Sequence, residues 1–153
     1  MGKLSNKIFR FDIESNDISD EQEIEFLRKM SEIGYNHTVS NDGIMSFVEI
    51  NQNRCEMYIR DNGDSINSIY SILVDFFDKV SFSDCTDQVI FDNDMFKKIN
   101  EIDDYDSDKT KKLFIDFRKE LTSIDDILDK ISEKGIDYID DIDKEVLKTK
   151  NPS

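Results

Sequence analysis

The sequence predicts an α+β protein, a small sheet with two helices followed by an all-helical stretch. Three observations predict it. Residues 7 to 13 alternate apolar and polar with a period of two. Residues 20 to 33 and 66 to 80 carry apolar side chains at helical spacing. After about residue 92 every apolar stripe is helical.

In the first strand Phe9, Phe11 and Ile13 share one face, with Ile8, Arg10 and Asp12 on the other. A helix follows from about residue 20. Ser19 and Gln22 have the spacing of a capping box, and Asp20, Glu21 and Glu23 suit the positive end of the helix dipole. Ile24, Leu27, Met30 and Ile33 form its stripe, and Gly34 is placed to stop it. Asn41-Asp42-Gly43 signals a turn, and residues 37 to 40 offer an optional short strand before it that would change the sheet topology. Ile44 to Ile50 and Cys55 to Arg60 read as a hairpin joined by Asn51-Gln52-Asn53. The second helix has the clearest periodicity: Ile66, Ile69, Tyr70, Leu73, Phe76, Phe77 and Val80. Gln88 to Phe91 reads as a last short strand. The order strand, helix, strand, strand, helix, strand is that of the split βαβ, or ferredoxin-like, fold.

The predicted organisation is an α+β unit over residues 1–92 and a helical C-terminal extension over residues 93–153. In the extension Met95, Phe96, Ile99 and Ile102 mark one helix, preceded by the cap-type residues Asp92, Asn93 and Asp94. An acidic break spans Asp103 to Asp108. Leu113, Phe114, Phe117 and Leu121 mark a second helix, and Ser123 with Asp126 starts a third, which Gly135 stops. Ile139, Ile142, Val146 and Leu147 mark the last, with Lys148 and Lys150 near its negative end.

The run Ile124-Asp125-Asp126-Ile127-Leu128-Asp129-Lys130-Ile131, then Gly135, Ile139 and Glu145 to Leu147, resembles a short helix-turn-helix tail. Such tails end many bacterial proteins, some rhomboid-type membrane proteases among them. The likeness covers residues 124 to 148 only, and Tyr138-Ile139 stands where the tail usually has Ser-Leu. It implies a helical pair and carries over no site or activity.

Charge excludes more than it selects. With 35 acidic and 20 basic residues the net charge is -15, which disfavours direct contact with nucleic acid or an anionic membrane. A basic protein would be attracted and steered. The simpler consequence of the same charge is solubility. The start of the chain lacks an apolar leader, and the longest apolar run, around Ile69 to Phe77, is too short to cross a bilayer. Cys55 and Cys85 form no CxxC pair, so both thiols are expected reduced, in a cytoplasmic protein.

Catalytic signatures are missing. His37 is the sole imidazole, and no GxSxG elbow or phosphate loop is present. Asp104, Asp106 and Asp108 have the opening spacing of a calcium loop. Lys109 and Ile115 occupy the positions that need Gly and Glu, so the match fails where it is most specific. No cofactor, metal or catalytic residue is therefore expected, nor an enzyme. What remains is acidic helical surface: Asp103, Asp104, Asp106 and Asp108, then Asp125, Asp126, Asp129, Asp140, Asp141 and Asp143. The expectation is a non-enzymatic interaction protein that inhibits or regulates a basic partner, of immunity or anti-defence type, its carboxylates imitating a nucleic-acid backbone. The alternative is a structural or adaptor subunit docking through its C-terminal helices.

Overall fold

The computed structural model describes residues 7–14, 19–33, 45–51, 53–61, 63, 65–101 and 105–150. The first half runs β1 (Ile8–Glu14), α1 (Asp20–Glu32), β2 (Met45–Asn51), β3 (Arg54–Arg60), α2 (Ile66–Phe76) and β4 (Lys79–Asp84). Helices follow: α3 (Thr86–Phe91), α4 (Asn93–Asn100), α5 (Tyr105–Leu121) and α6 (Ile124–Lys134). A 3-10 turn at Ile136–Tyr138 leads into α7 (Asp141–Lys150). The protein is thus mixed α and β, and mostly helical. The strands stand in the order β2-β3-β1-β4, each antiparallel to its neighbour.

The alternation of β1 places its two sets of side chains in two different cores. Phe11 and Ile13 join Met57 and Ile59 of β3 on one face, and α1 and α2 cover them with Phe26, Met30, Ile66, Ile69 and Leu73. Full burial of a side chain such as Leu73 contributes about 1.5–3 kcal/mol. Phe26 meets Phe76 and Phe77 edge-on, with centroids 5.8 and 5.4 Å apart. α1 starts as its residues dictate. The Ser19 hydroxyl accepts from the Gln22 amide, and the Gln22 side chain accepts from the Ser19 amide at 2.9 Å.

Ile8 and Tyr58 point the other way. They lie under α3, α4 and α5 in a second core with Val89, Ile90, Ile99, Leu113, Phe114 and Phe117. The Tyr58 ring packs edge-on against Phe114, 4.9 Å between centroids. Arg60 of β3 stacks over Phe117 at 5.1 Å and pairs with Glu120 at 2.7 Å, which ties the sheet to α5. Helices therefore cover both faces of the sheet.

Two expected elements exchange type. α2 ends at Phe76 rather than reaching Val80, and Phe77 is already extended, with φ -124° and ψ 151°. Val80 fits the helical stripe, yet Val80 and Phe82 also alternate with Ser81 and Ser83, and the open side of β1 takes them as a strand. The expected strand Gln88–Phe91 is helix α3 instead. The Asp84 side chain accepts from the Thr86 amide and hydroxyl at 2.9 and 2.6 Å, starting that helix. The optional strand at 37 to 40, the turn at 41 to 43 and Gly34 lie outside the described residues.

Candidate functional site

The helical half is built around buried charge. Arg118 follows Phe117 on α5 and is fully enclosed, as is Asp143 on α7, while Lys130 on α6 is 2 % exposed. Arg118 donates to both oxygens of Asp140, at 2.6 and 2.8 Å, and to Asp143 at 2.8 Å. Lys130 donates to the same Asp143 oxygen at 2.8 Å. Asn93, the first residue of α4, accepts from Arg118 at 3.1 Å and from Lys130 at 2.9 Å, and donates to Asp143 at 2.9 Å. Its backbone amide and side chain also bond Tyr138, so four helices and the turn before α7 meet in one knot.

The knot holds two cations and two carboxylates and is neutral as a whole. Burial alone would push the Asp143 carboxyl up; hydrogen bonds from Lys130 and Asn93 and the charge of Arg118 overcome it and hold the group below its ordinary value. Burial pulls the Lys130 ammonium down, against the pull of Asp143. Arg118 also resists burial, and Asp140 and Asp143 keep its guanidinium firmly charged. Enclosing these charges costs desolvation that their pairing and hydrogen bonds have to offset. Asp140 and Asp143 further cap α7 reciprocally: the Asp143 amide donates to Asp140 Oδ1 at 3.0 Å.

This arrangement divides the acids that the sequence marks as an exposed partner-binding face. Asp143 leaves that face altogether, because its carboxylate is the hub of the knot. Asp140 is half-buried and committed to Arg118. Asp126 is half-buried and closes the α6 capping box, its carboxylate accepting from the Ser123 amide at 2.8 Å. Asp108, Asp125, Asp129 and Asp141 are exposed, and Asp108 pairs with Lys111 at 3.3 Å. Asp103 and Asp104 lie outside the described residues, as does the side chain of Asp106.

Sequence reading gives Asn93 only a cap role and passes over Arg118 and Lys130. The signal of these two is a charge at a core position: Lys130 lies three residues beyond buried Ile127, and Arg118 four beyond buried Phe114. Lys150 holds a similar surprise. It donates to the Glu120 and Thr122 carbonyls at 2.9 and 2.7 Å, completing the C-terminal end of α5 rather than that of its own helix.

Elsewhere a shallow groove of about 310 Å³ opens at the ends of β1, β3 and β4, lined by Asp12, Glu14, Arg54, Lys79 and Ser81 among others. Large apolar side chains stand exposed at Ile24, Val74, Phe82, Leu128 and Ile136. The two thiols are unpaired with one another. Cys85 is buried, donates to the Ile8 carbonyl at 3.4 Å, and is pushed up to about 12 by that burial. His37 lies outside the described residues. No described helix is long and apolar enough to cross a membrane. Comparison with protein-family models, curated proteins and solved structures finds no match.

Proposed function

We propose that the chain is an acidic, non-enzymatic interaction protein of the cytoplasm that binds a basic protein and inhibits or regulates it, in the manner of immunity or anti-defence inhibitors. One observation carries the reading. The four charges of the knot cancel, so the whole of the -15 charge is borne by the rest of the molecule. Asp125 and Asp129 stand exposed one turn apart on α6, about 6 Å along its axis. The knot clamps that helix to its neighbours through Lys130, so these carboxylates are presented on a rigid support. Acids so held would imitate a nucleic-acid backbone and occupy a basic groove by charge and bulk.

The test is capture from native lysate along a salt gradient, by the native chain and by Asp125→Lys/Asp129→Lys. One basic protein eluting at moderate salt, and lost on charge reversal, supports the proposal. Capture that ignores both salt and the reversal sinks it.

A structural or adaptor subunit is the second reading, favoured by Leu128 and Ile136, which are 52 % and 67 % exposed on the same helical half. It expects salt-tolerant assembly that Leu128→Asp abolishes. Two finer assignments belong with these proposals. The sheet order β2-β3-β1-β4 supports a ferredoxin-like reading of residues 8–84. The α6, turn and α7 sequence, with Gly135 at φ +91°, supports the helix-turn-helix tail reading of residues 124–148.

A further inference from the structure

β4 is far less covered than β1 and β3. Every side chain of Lys79–Asp84 except Val80 is exposed, and Phe82 is 39 % exposed although it touches Phe11 and Tyr70. One long edge pairs with β1 in unbroken register; on the other, no strand pairs among the described residues. The devices that usually blunt such an edge are missing from its centre: no proline, no bulge, and no charge between Lys79 and Asp84.

The direction of each backbone group follows from one bond. The Cys85 amide donates to the Ile8 carbonyl at 2.9 Å, so Cys85 and Ile8 are a hydrogen-bonded pair. By alternation Ser83, Ser81 and Lys79 turn their amides and carbonyls toward β1. Val80, Phe82 and Asp84 turn theirs outward, to the other margin.

We propose that this margin pairs with β4 of a second copy, antiparallel, about a two-fold axis through Ser81. An axis perpendicular to the sheet pairs residues of the same face, so it must pass through a residue rather than between two. Centred on Ser81, it sets Val80 opposite Phe82 twice, both with outward backbone groups, and Ser81 opposite Ser81. A β-branched residue against an aromatic is a favourable cross-strand pair. Centred on Phe82, it would set Val80 against the Asp84 carboxylate. The same operation keeps α2 of both copies on one face. There Tyr70, 5.4 Å from Phe82 between ring centroids, and Val74, one turn along and 43 % exposed, extend the apolar contact.

Charge selects a second copy over a basic partner. In a chain of net charge -15, β4 carries one Lys and one Asp and is locally neutral. A basic strand gains little at this centre, whereas two copies meet there without like charges, and Asp78 faces Asp84 only at the two ends of the pairing. Their remaining charge still repels at long range, so salt strengthens this association. That sign is opposite to the one expected for capture of a basic partner, and the dimer stands or falls independently of that partner.

The experiment is sedimentation velocity on the full chain across concentration and salt, with Ser81→Lys and Ser81→Glu as variants. Ser81 is exposed, and each variant must keep the native melting temperature. The native chain should form a dimer that grows with concentration and with salt. Each variant alone should be monomeric, since it opposes like charges on the axis, and an equimolar mixture should restore a one-to-one dimer. In the native dimer the amides of Val80 and Phe82 should exchange slowly, and in Ser81→Lys quickly, while those of Ser81 and Ser83 stay protected in both. A native chain that is monomeric throughout overturns the proposal. So does a dimer indifferent to Ser81→Lys, or a mixture of the variants that stays monomeric.

Discussion

The two faces of the sheet are held in different ways. Between β1, β3, α1 and α2 the interior is apolar, with Phe11, Met57, Ile59, Ile69 and Leu73 almost wholly enclosed. The helices on the other face have an apolar layer against Ile8 and Tyr58, and then close on a knot of charge. Dispersion and hydration hold the first region and are indifferent to pH. The knot is complete or it is costly, because each member removed strands another in a largely buried site. An acid-rich chain thus spends part of its charge on internal geometry and shows the rest to solvent.

The largest effect expected comes from removing one member. Asp143→Ala leaves Arg118 and Lys130 buried with Asp140 alone, and should destabilise by about 3–5 kcal/mol in urea denaturation. The double variant Asp143→Leu/Lys130→Met should cost less than Asp143→Ala, since it replaces a buried pair by apolar groups. A double cost equal to the sum of the single ones would mean that the knot is not a unit.

Leu73→Ala tests the other region. Leu73 is fully buried, and its truncation should cost about 2–5 kcal/mol through lost transfer and the cavity left behind. Unlike the loss in the knot variant, this one should be the same at about pH 3 and about pH 7, measured by the same denaturation.

Acid sharpens the contrast further. Asp143 titrates below its ordinary value in the folded protein. Its contribution is therefore whole above the unfolded value of about 3.9 and is lost as pH falls through the folded one. The stability gap between the native chain and Asp143→Asn should narrow below about pH 4. A gap that holds constant to lower pH would show that the carboxylate carries no ionic role there.

The smallest expected effects compare two capping boxes of one design. Ser19→Ala on α1 and Ser123→Ala on α6 should each cost about 1 kcal/mol. A much larger loss for Ser123→Ala would mean that the start of α6 also positions Lys130 in the knot.

Local chemistry decided much of this architecture in advance. Ser19 with Gln22 and Ser123 with Asp126 begin helices because two side chains satisfy amides only three residues away. Gly135 ends α6 because a positive φ is cheap only without a Cβ. Phe9, Phe11 and Ile13 take one side of a strand because the pleat alternates. These devices operate within a few residues, and the sequence determines them by itself.

Tertiary structure decided the rest. Val80 fits the helical stripe as well as the alternation of residues 79 to 84, and the open side of β1 makes that segment a strand. Residues 88 to 91 have strand-like composition, but Asp84 supplies a helix start and the second sheet face takes Val89 and Ile90. Asp143 resembles the exposed Asp125 and Asp129 in sequence, for all three are acids within amphipathic helices. Arg118 and Lys130, distant along the chain, draw it inside. A carboxylate is driven to solvent or into a core according to whether cations await it there, and that is a property of three-dimensional neighbours rather than of sequence spacing.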